Sequence, residues 1–133
     1  MTVELKYLTW ITLLTAFMWV PYILNMIMVR GLVDAVGYPQ SPEPLAPWAA
    51  RMKKAHYNAI ENLVVFASLV IVAHLAGVNN ETTALACNIY FWSRLVHFAV
   101  YTLALPWLRT LAFVVGFACQ VLMAEPQSPP CSP

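Results

Sequence analysis

Long runs of apolar residues dominate the chain and are separated by short polar segments. Four such runs cover roughly residues 5–29, 58–75, 83–105 and 107–124. A membrane-spanning helix needs about 20 mainly apolar residues, and each run is of that order. The runs are too long and too continuously apolar for the alternating strands of a membrane barrel. The pattern therefore predicts an all-α integral membrane protein, folded as a four-helix bundle.

Prolines refine the bounds of these helices. Pro47 favours a helix start well before the second run, and Pro21 predicts a kink within the first. The proline-rich segment 37–44 is expected to be irregular, and the Pro/Ser-rich tail 126–133 to be disordered. We expect one transmembrane domain over residues 1–125, with helices at about 5–29, 47–76, 82–105 and 107–124.

Composition excludes several classes of protein. The 133 residues are 61% hydrophobic and 10% charged, which no ordinary soluble domain shows. A net charge of +1 lacks the excess of basic residues that is typical of nucleic-acid-binding proteins. Cys87 and Cys119 lie inside predicted helices and Cys131 in the tail, so we expect three free thiols and no disulfide framework. Three histidines without a cysteine or carboxylate at ligand spacing argue against a metal site.

The few charges are unevenly distributed. The segment between the first two runs carries Arg30, Arg51, Lys53 and Lys54, whereas the turn 77–81 carries no lysine or arginine. The positive-inside rule places the basic segment in the cytoplasm. Four spans then place both termini outside and return the chain to the cytoplasmic side just before Arg109.

Polar residues form a stripe on the second helix. Arg51, Lys54, Asn58 and Glu61 follow one another at steps of three and four residues, which keeps them on one helix face. His56 points elsewhere. Counted back from the turn at Gly77, Asn58 and Glu61 lie at the cytoplasmic shoulder of the membrane, where an acid needs a partner.

The third helix carries a matching stripe, composed of Tyr90, Arg94, His97 and Tyr101. In two antiparallel helices, residues that are equally far from the connecting turn lie at the same depth. This predicts that Glu61 lies level with His97 and Asn58 level with Tyr101. The fourth helix adds Arg109 and Thr110 to the same shoulder.

This polar cluster has two interpretations. The residues can have a structural role and hold the helices together, with Glu61 paired to Lys54 or Arg94. Alternatively they bind a polar, anionic small molecule, since ionisable groups inside a membrane are functional by default. For Arg94, near the bilayer midplane, a structural pin and a ligand contact are equally consistent with the sequence.

Two motifs carry a resemblance to a known family. They are the segment Lys54-Ala-His-Tyr-Asn-Ala-Ile-Glu-Asn62 and the pattern Arg94-x2-His97-x3-Tyr101 followed by Arg109-Thr110. With four helices in this length, the chain from about residue 5 to 124 resembles the membrane-associated proteins in eicosanoid and glutathione metabolism (MAPEG). The resemblance implies a homotrimer that holds glutathione between subunits, open to the cytoplasm.

The resemblance also implies residue roles. Glu61 receives the amino group of glutathione, Asn58 and Tyr101 hydrogen-bond its backbone, and His97 with Arg30 holds its carboxylates. Arg109 lies beside the sulfur, where a positive charge favours the thiolate, and Thr110 donates a further hydrogen bond. The remaining glutathione-binding residues expected from the two stripes are Arg51, Lys54 and Arg94.

One departure bears on the activity. Tyr57 stands where the prostaglandin synthase branch of the family carries an arginine, which argues against eicosanoid synthesis. The short first loop resembles bacterial-type members, so we expect a multi-pass protein of a bacterial inner membrane. Two functions remain: a glutathione transferase or peroxidase acting on lipophilic electrophiles, or a non-catalytic binder that presents a lipid to, or regulates, a partner protein.

Overall fold

The computed structural model describes residues 1–125, which form six α-helical segments and no strand. This confirms the predicted all-α class. The predicted tail, with Cys131, lies outside the described residues. The helices are α1 Val3–Phe17, α2 Trp19–Arg30, α3 Leu32–Val36, α4 Pro47–Leu75, α5 Glu81–Thr102 and α6 Pro106–Ala124.

Three helical stretches of the described chain are long and apolar enough to cross a membrane: Val3–Arg30, Pro47–Leu75 and Pro106–Ala124. Helix α5 has 22 residues but is not among them, because residues such as Asn88, Arg94 and His97 lower its mean hydropathy. It packs against α1, α4 and α6, so its polar side chains face protein. The polar residues Arg94 and His97 of α5 are therefore buried inside the bundle.

The first stretch is interrupted between α1 and α2. Met18 closes α1 with a 3₁₀-type hydrogen bond, 3.3 Å long, from its N–H to the carbonyl oxygen of Thr15 three residues earlier. Pro21 lacks the N–H that would otherwise bond to the Phe17 carbonyl, so the regular hydrogen-bond ladder cannot continue here. The predicted kink is therefore present, and it lies about one turn before Pro21.

The turn between α4 and α5 has strong local signals at both ends. Gly77 adopts a φ of 71°, and the Val78 N–H bonds to the Ala73 carbonyl, which is the Schellman arrangement that ends a helix. Asn80 and Thr83 then form a reciprocal capping box that starts α5. These caps make α4 and α5 antiparallel and bring their polar stripes together.

The apolar core lies between the polar stripes and the α4–α5 turn. Phe66 of α4 stacks on Tyr90 of α5 with ring centroids 3.8 Å apart. Gly116 of α6 allows a close approach to α5, since a Cβ there would lie 3.2 Å from Ser93 Oγ. Helices α5 and α6 therefore pack tightly where the core meets the polar cluster.

The connection between α2 and α4 contains an element that the sequence did not predict, the short helix α3. Gly31 permits it by adopting a φ of 79°, which turns the chain sharply after α2. Two side chains of α2 hold the rest of the loop, since Asn25 accepts a hydrogen bond from Ala46 N and Arg30 donates to the Glu43 carbonyl. Segment 37–44 has no helix, as predicted.

Candidate functional site

Asn58 and Arg94 join the two polar stripes. The Arg94 Nη2 donates a hydrogen bond of 2.6 Å to Asn58 Oδ1. Arg94 is only 2% exposed, and it lies eight residues before the end of α5, a depth of roughly 12 Å. No acidic group among residues 1–125 forms an ion pair with it. A buried cation is therefore held by a neutral amide.

Two further amides extend this contact into a network across three helices. Asn62 Nδ2 donates to the Asn58 carbonyl at 2.8 Å and lies 3.4 Å from Asn58 Oδ1. Gln120 of α6 donates to the Asn62 carbonyl at 3.2 Å. The network ties α4, α5 and α6 together at the level of Arg94. Neither Asn62 nor Gln120 belongs to the two polar stripes, so neither was predicted as a site residue.

Closer to the end of the bundle, three aromatic rings and the Arg109 guanidinium lie next to one another. His97 meets Tyr101 edge to face, with ring centroids 5.6 Å apart, and the Phe113 ring of α6 is tilted against the imidazole, with ring centroids 6.3 Å apart. The Arg109 guanidinium carbon lies 4.8 Å from the centroid of the Tyr101 ring. A cation over an aromatic face is stabilised by the ring quadrupole. Arg109 is thereby held in one place.

A cavity of about 220 Å³ opens beside Tyr101 and Arg109. The Arg51 Nε donates to the Thr102 carbonyl at 2.9 Å, which fixes its guanidinium against the end of α5. The cavity thus lies between two positioned guanidinium groups and a phenol. Its lining residues are Arg51, Tyr101, Ala104, Leu105, Pro106 and Arg109.

Two buried nitrogens in the cluster lack a hydrogen-bond partner within the described residues: Arg94 Nε and His97 Nδ1. His97 is 2% exposed, so bulk water does not satisfy it. Buried polar groups are nearly always hydrogen-bonded, and those that are not call for a water or another bound group. Both nitrogens belong to the polar cluster of α5.

Four of the predicted site residues do not join the cluster within one chain. Lys54 and Glu61 are exposed, and Glu61 makes no hydrogen bond or ion pair among residues 1–125. The pairing of Glu61 with Lys54 or Arg94 is therefore wrong for the single chain. Thr110 is exposed and donates to the Pro106 carbonyl of its own helix, and Arg30 is bound to the α2–α4 loop.

The side-chain contact between the two stripes is not one that the count of residues from the turn predicted. Asn58 bonds to Arg94, which lies seven residues before Tyr101 in α5. Because α4 ends at Leu75 and α5 begins at Glu81, the chain reverses around Val78, earlier than the count assumed. The long arginine side chain accounts for the remaining distance.

His56 lies outside the cluster, as predicted. Its Nδ1 is 2.8 Å from the hydroxyl of Tyr22, and both side chains are buried between α2 and α4. Cys87 and Cys119 are buried free thiols. Residues 1–125 contain no group of three or more His, Cys, Asp or Glu that could hold a metal ion.

Apolar membrane-length helices around a buried cationic cluster define a polytopic integral membrane protein with a polar site inside its helix bundle. The sequence profile of the MAPEG family matches residues 7–124. The chain therefore belongs to the MAPEG family.

Individual relatives match a shorter segment of 75 residues. Over it the chain is 33% identical to "Microsomal glutathione S-transferase 1" of Rattus norvegicus, 32% to that of Bos taurus and 31% to that of Homo sapiens. The segment is 56% of this chain and 48% of each relative, so the match spans about half of the curated proteins. No solved structure matches the chain significantly.

Proposed function

We propose that the chain is a glutathione-binding membrane protein that acts as a glutathione transferase or peroxidase on lipophilic electrophiles. The observation that carries this proposal is the cavity between Arg51 and Arg109, with Tyr101 held under Arg109. Fixed guanidinium groups suit a ligand that carries carboxylates and an ionisable thiol. Similarity to proteins named microsomal glutathione S-transferase 1 supports the choice of glutathione.

In this proposal Arg109 acts on the sulfur. A positive charge beside a thiol favours the thiolate, which is the nucleophilic form. The thiolate attacks an electrophilic carbon that enters from the lipid phase, the new C–S bond forms, and the leaving group departs with the bonding electrons. Catalysis then needs only thiolate stabilisation and proximity, which a small site can supply.

The rest of the ligand binds along the two polar stripes. Glu61 pairs with the amino group, Asn58 and Tyr101 hydrogen-bond the peptide backbone, and His97 with Arg30 holds the carboxylates. Thr110 donates near the sulfur. The other proposed glutathione-binding residues are Arg51, Lys54 and Arg94.

We further propose four membrane spans, with α5 as the fourth, and a homotrimer whose subunits share the site. Lys54 and Glu61 are exposed on α4 in the single chain, although charged side chains facing lipid are costly. A neighbouring subunit would cover them. Native mass spectrometry in mild detergent tests this assembly, and a monomer would count against both the trimer and the shared site.

The proposed orientation puts the cavity between Arg51 and Arg109 on the cytoplasmic face of a bacterial inner membrane, with the amino terminus outside. The basic α2–α4 segment supports it through the positive-inside rule. The proposed domain is the helical unit over residues 1–125.

One observation favours a second function, that of a non-catalytic lipid binder. An apolar groove of about 370 Å³ runs between α5 and α6, on a face separate from the cationic cavity. A protein that only presents lipid would need such a groove and no thiolate site. The residues that line the groove are Asn88, Ile89, Trp92, Ser93, Val96, Leu108, Leu111, Ala112 and Val115.

Binding and turnover of glutathione by the purified, detergent-solubilised chain distinguish the two functions. A generic aryl halide serves as the electrophile, and product is followed by absorbance. Lys6→Ala is a matched control for Arg109→Ala, because Lys6 is an exposed cation on the opposite end of the bundle. Glutathione binding with no turnover in the wild type favours the lipid binder over the enzyme.

A further inference from the structure

The Asn58–Arg94 hydrogen bond identifies which atom of the Asn58 amide faces Arg94. A guanidinium carries only donors, so the Asn58 atom 2.6 Å from Arg94 Nη2 must be the oxygen. Asn62 Nδ2 lies 3.4 Å from the same oxygen. An amide oxygen has two lone pairs, and these two donors occupy them.

The other half of the Asn58 amide is available. Its Nδ2 carries two N–H donors, makes no hydrogen bond among residues 1–125, and belongs to a partly exposed side chain. Rotating the amide by half a turn would set its NH2 against the guanidinium of Arg94. Because Arg94 is 2% exposed, that rotation would leave a buried cation facing a donor, which is strongly unfavourable.

We propose that Arg94 is a positioning residue that locks the Asn58 amide with its NH2 group towards the bound molecule. This point of the site then accepts only a hydrogen-bond acceptor, such as a peptide carbonyl or a carboxylate. The inference rests on the proposed function, because glutathione is the ligand that supplies such an oxygen here. It gives Arg94 a role that differs from both a structural pin and a direct ligand contact, because Arg94 acts through Asn58.

Asn58→Asp separates the two halves of the amide. The carboxylate keeps an acceptor for Arg94 and strengthens it to an ion pair, but it removes both N–H donors. We expect glutathione affinity to fall roughly tenfold to a hundredfold while the thermal midpoint is retained or raised. If Asn58 had a purely structural role, the variant would bind glutathione as tightly as the wild type, or its affinity would fall only together with its thermal midpoint.

Asn25→Asp is the matched control, because Asn25 is also a partly buried asparagine whose Oδ1 accepts a hydrogen bond, here from Ala46 N at 3.1 Å. Asn25 lies on α2 and is not among the proposed glutathione-binding residues, so the glutathione affinity of this variant should equal that of the wild type. Isothermal titration of the full chain in detergent with reduced glutathione gives the affinities.

Arg94→Lys and Arg94→Met provide a second test that does not depend on the folding of Asn58→Asp. A lysine ammonium can donate to Asn58 Oδ1, whereas methionine removes this donor and leaves only the 3.4 Å contact with Asn62 Nδ2 to orient the amide. We expect Arg94→Lys to bind within a few-fold of the wild type and Arg94→Met to bind roughly tenfold more weakly. If the wild type binds but Asn58→Asp and Arg94→Met bind equally well, the inference alone is overturned. If the wild type itself does not bind glutathione, the proposed function fails with it.

Discussion

Arg109 lies over the face of Tyr101, with its guanidinium carbon 4.8 Å from the ring centroid. The two residues come from the start of α6 and the end of α5, so the contact spans the tight connection 103–105. A flexible side chain is thereby held at the wall of the cavity. In the proposed mechanism this contact fixes the positive charge before the ligand binds, which avoids reorganisation during the reaction.

The connection that brings Arg109 to Tyr101 contains a strained residue. Ala104 has a φ of 61°, a conformation that favours glycine. Ala104→Gly is therefore expected to raise the stability by about 1 kcal/mol, measured as the thermal midpoint in detergent. Ala76→Gly is the matched control: it caps α4 with an ordinary φ of −78°, so glycine there should give no gain. Equal effects of the two changes would contradict the assignment of strain to Ala104.

Tyr22 and His56 hold α2 against α4, next to the break at Met18. Tyr22→Phe removes the hydroxyl and leaves His56 Nδ1 without its 2.8 Å partner in a buried place. We expect the free energy of unfolding to fall by about 0.5 to 1.5 kcal/mol. Tyr38→Phe is the control, since Tyr38 is fully exposed in the α2–α4 loop. An unchanged midpoint in Tyr22→Phe would show that the hydrogen bond contributes nothing to stability.

Local sequence signals predicted much of this architecture. Pro47 and Gly77 lie where α4 begins and ends, and the steps of three and four residues put Asn58 and Arg94 on facing stripes. Such signals act within one helix or turn, where a single residue decides the backbone conformation. Predictions of this local kind agree with the structure.

Contacts between helices were harder to predict. A count of residues from the turn gives depth along a helix but ignores the length and direction of a side chain, so it missed Asn58–Arg94. Gln120 is a lone amide in an apolar helix and belongs to no periodic pattern, although a polar group inside a membrane helix is itself a signal. The exposed Glu61 has no partner in one chain, so its environment depends on assembly.

Cysteine labelling tests the proposed orientation. Cys87 and Cys119 are buried, so a chain with Cys131→Ser provides a background of unreactive thiols. Ser41→Cys in the α2–α4 loop should react with a membrane-impermeant maleimide only from the cytoplasmic side. Asn79→Cys, in the α4–α5 turn, should react only from outside; both positions are exposed. The reverse pattern would overturn the orientation.

Arg109 and Glu61 should affect different steps of the proposed reaction. Arg109→Ala is expected to abolish most turnover while leaving glutathione binding largely intact, because the guanidinium acts mainly by favouring the thiolate. Without it the pKa of the bound thiol rises towards the ordinary value of about 8.5. The reactive fraction is then small at pH 7, and raising the pH through that value should partly restore turnover.

Glu61→Gln should instead weaken binding itself. A carboxylate that pairs with the ammonium of glutathione contributes a charge-assisted bond of about 1.5 to 3 kcal/mol, which corresponds to roughly a tenfold to hundredfold loss of affinity. Titration of each variant with glutathione, followed by thiolate absorbance, separates the two effects. Arg109→Lys keeps the charge and should retain most of the thiolate signal, which distinguishes charge from shape. If Arg109→Ala keeps both full thiolate absorbance and full turnover, the proposed mechanism is wrong and the lipid-binding function is favoured.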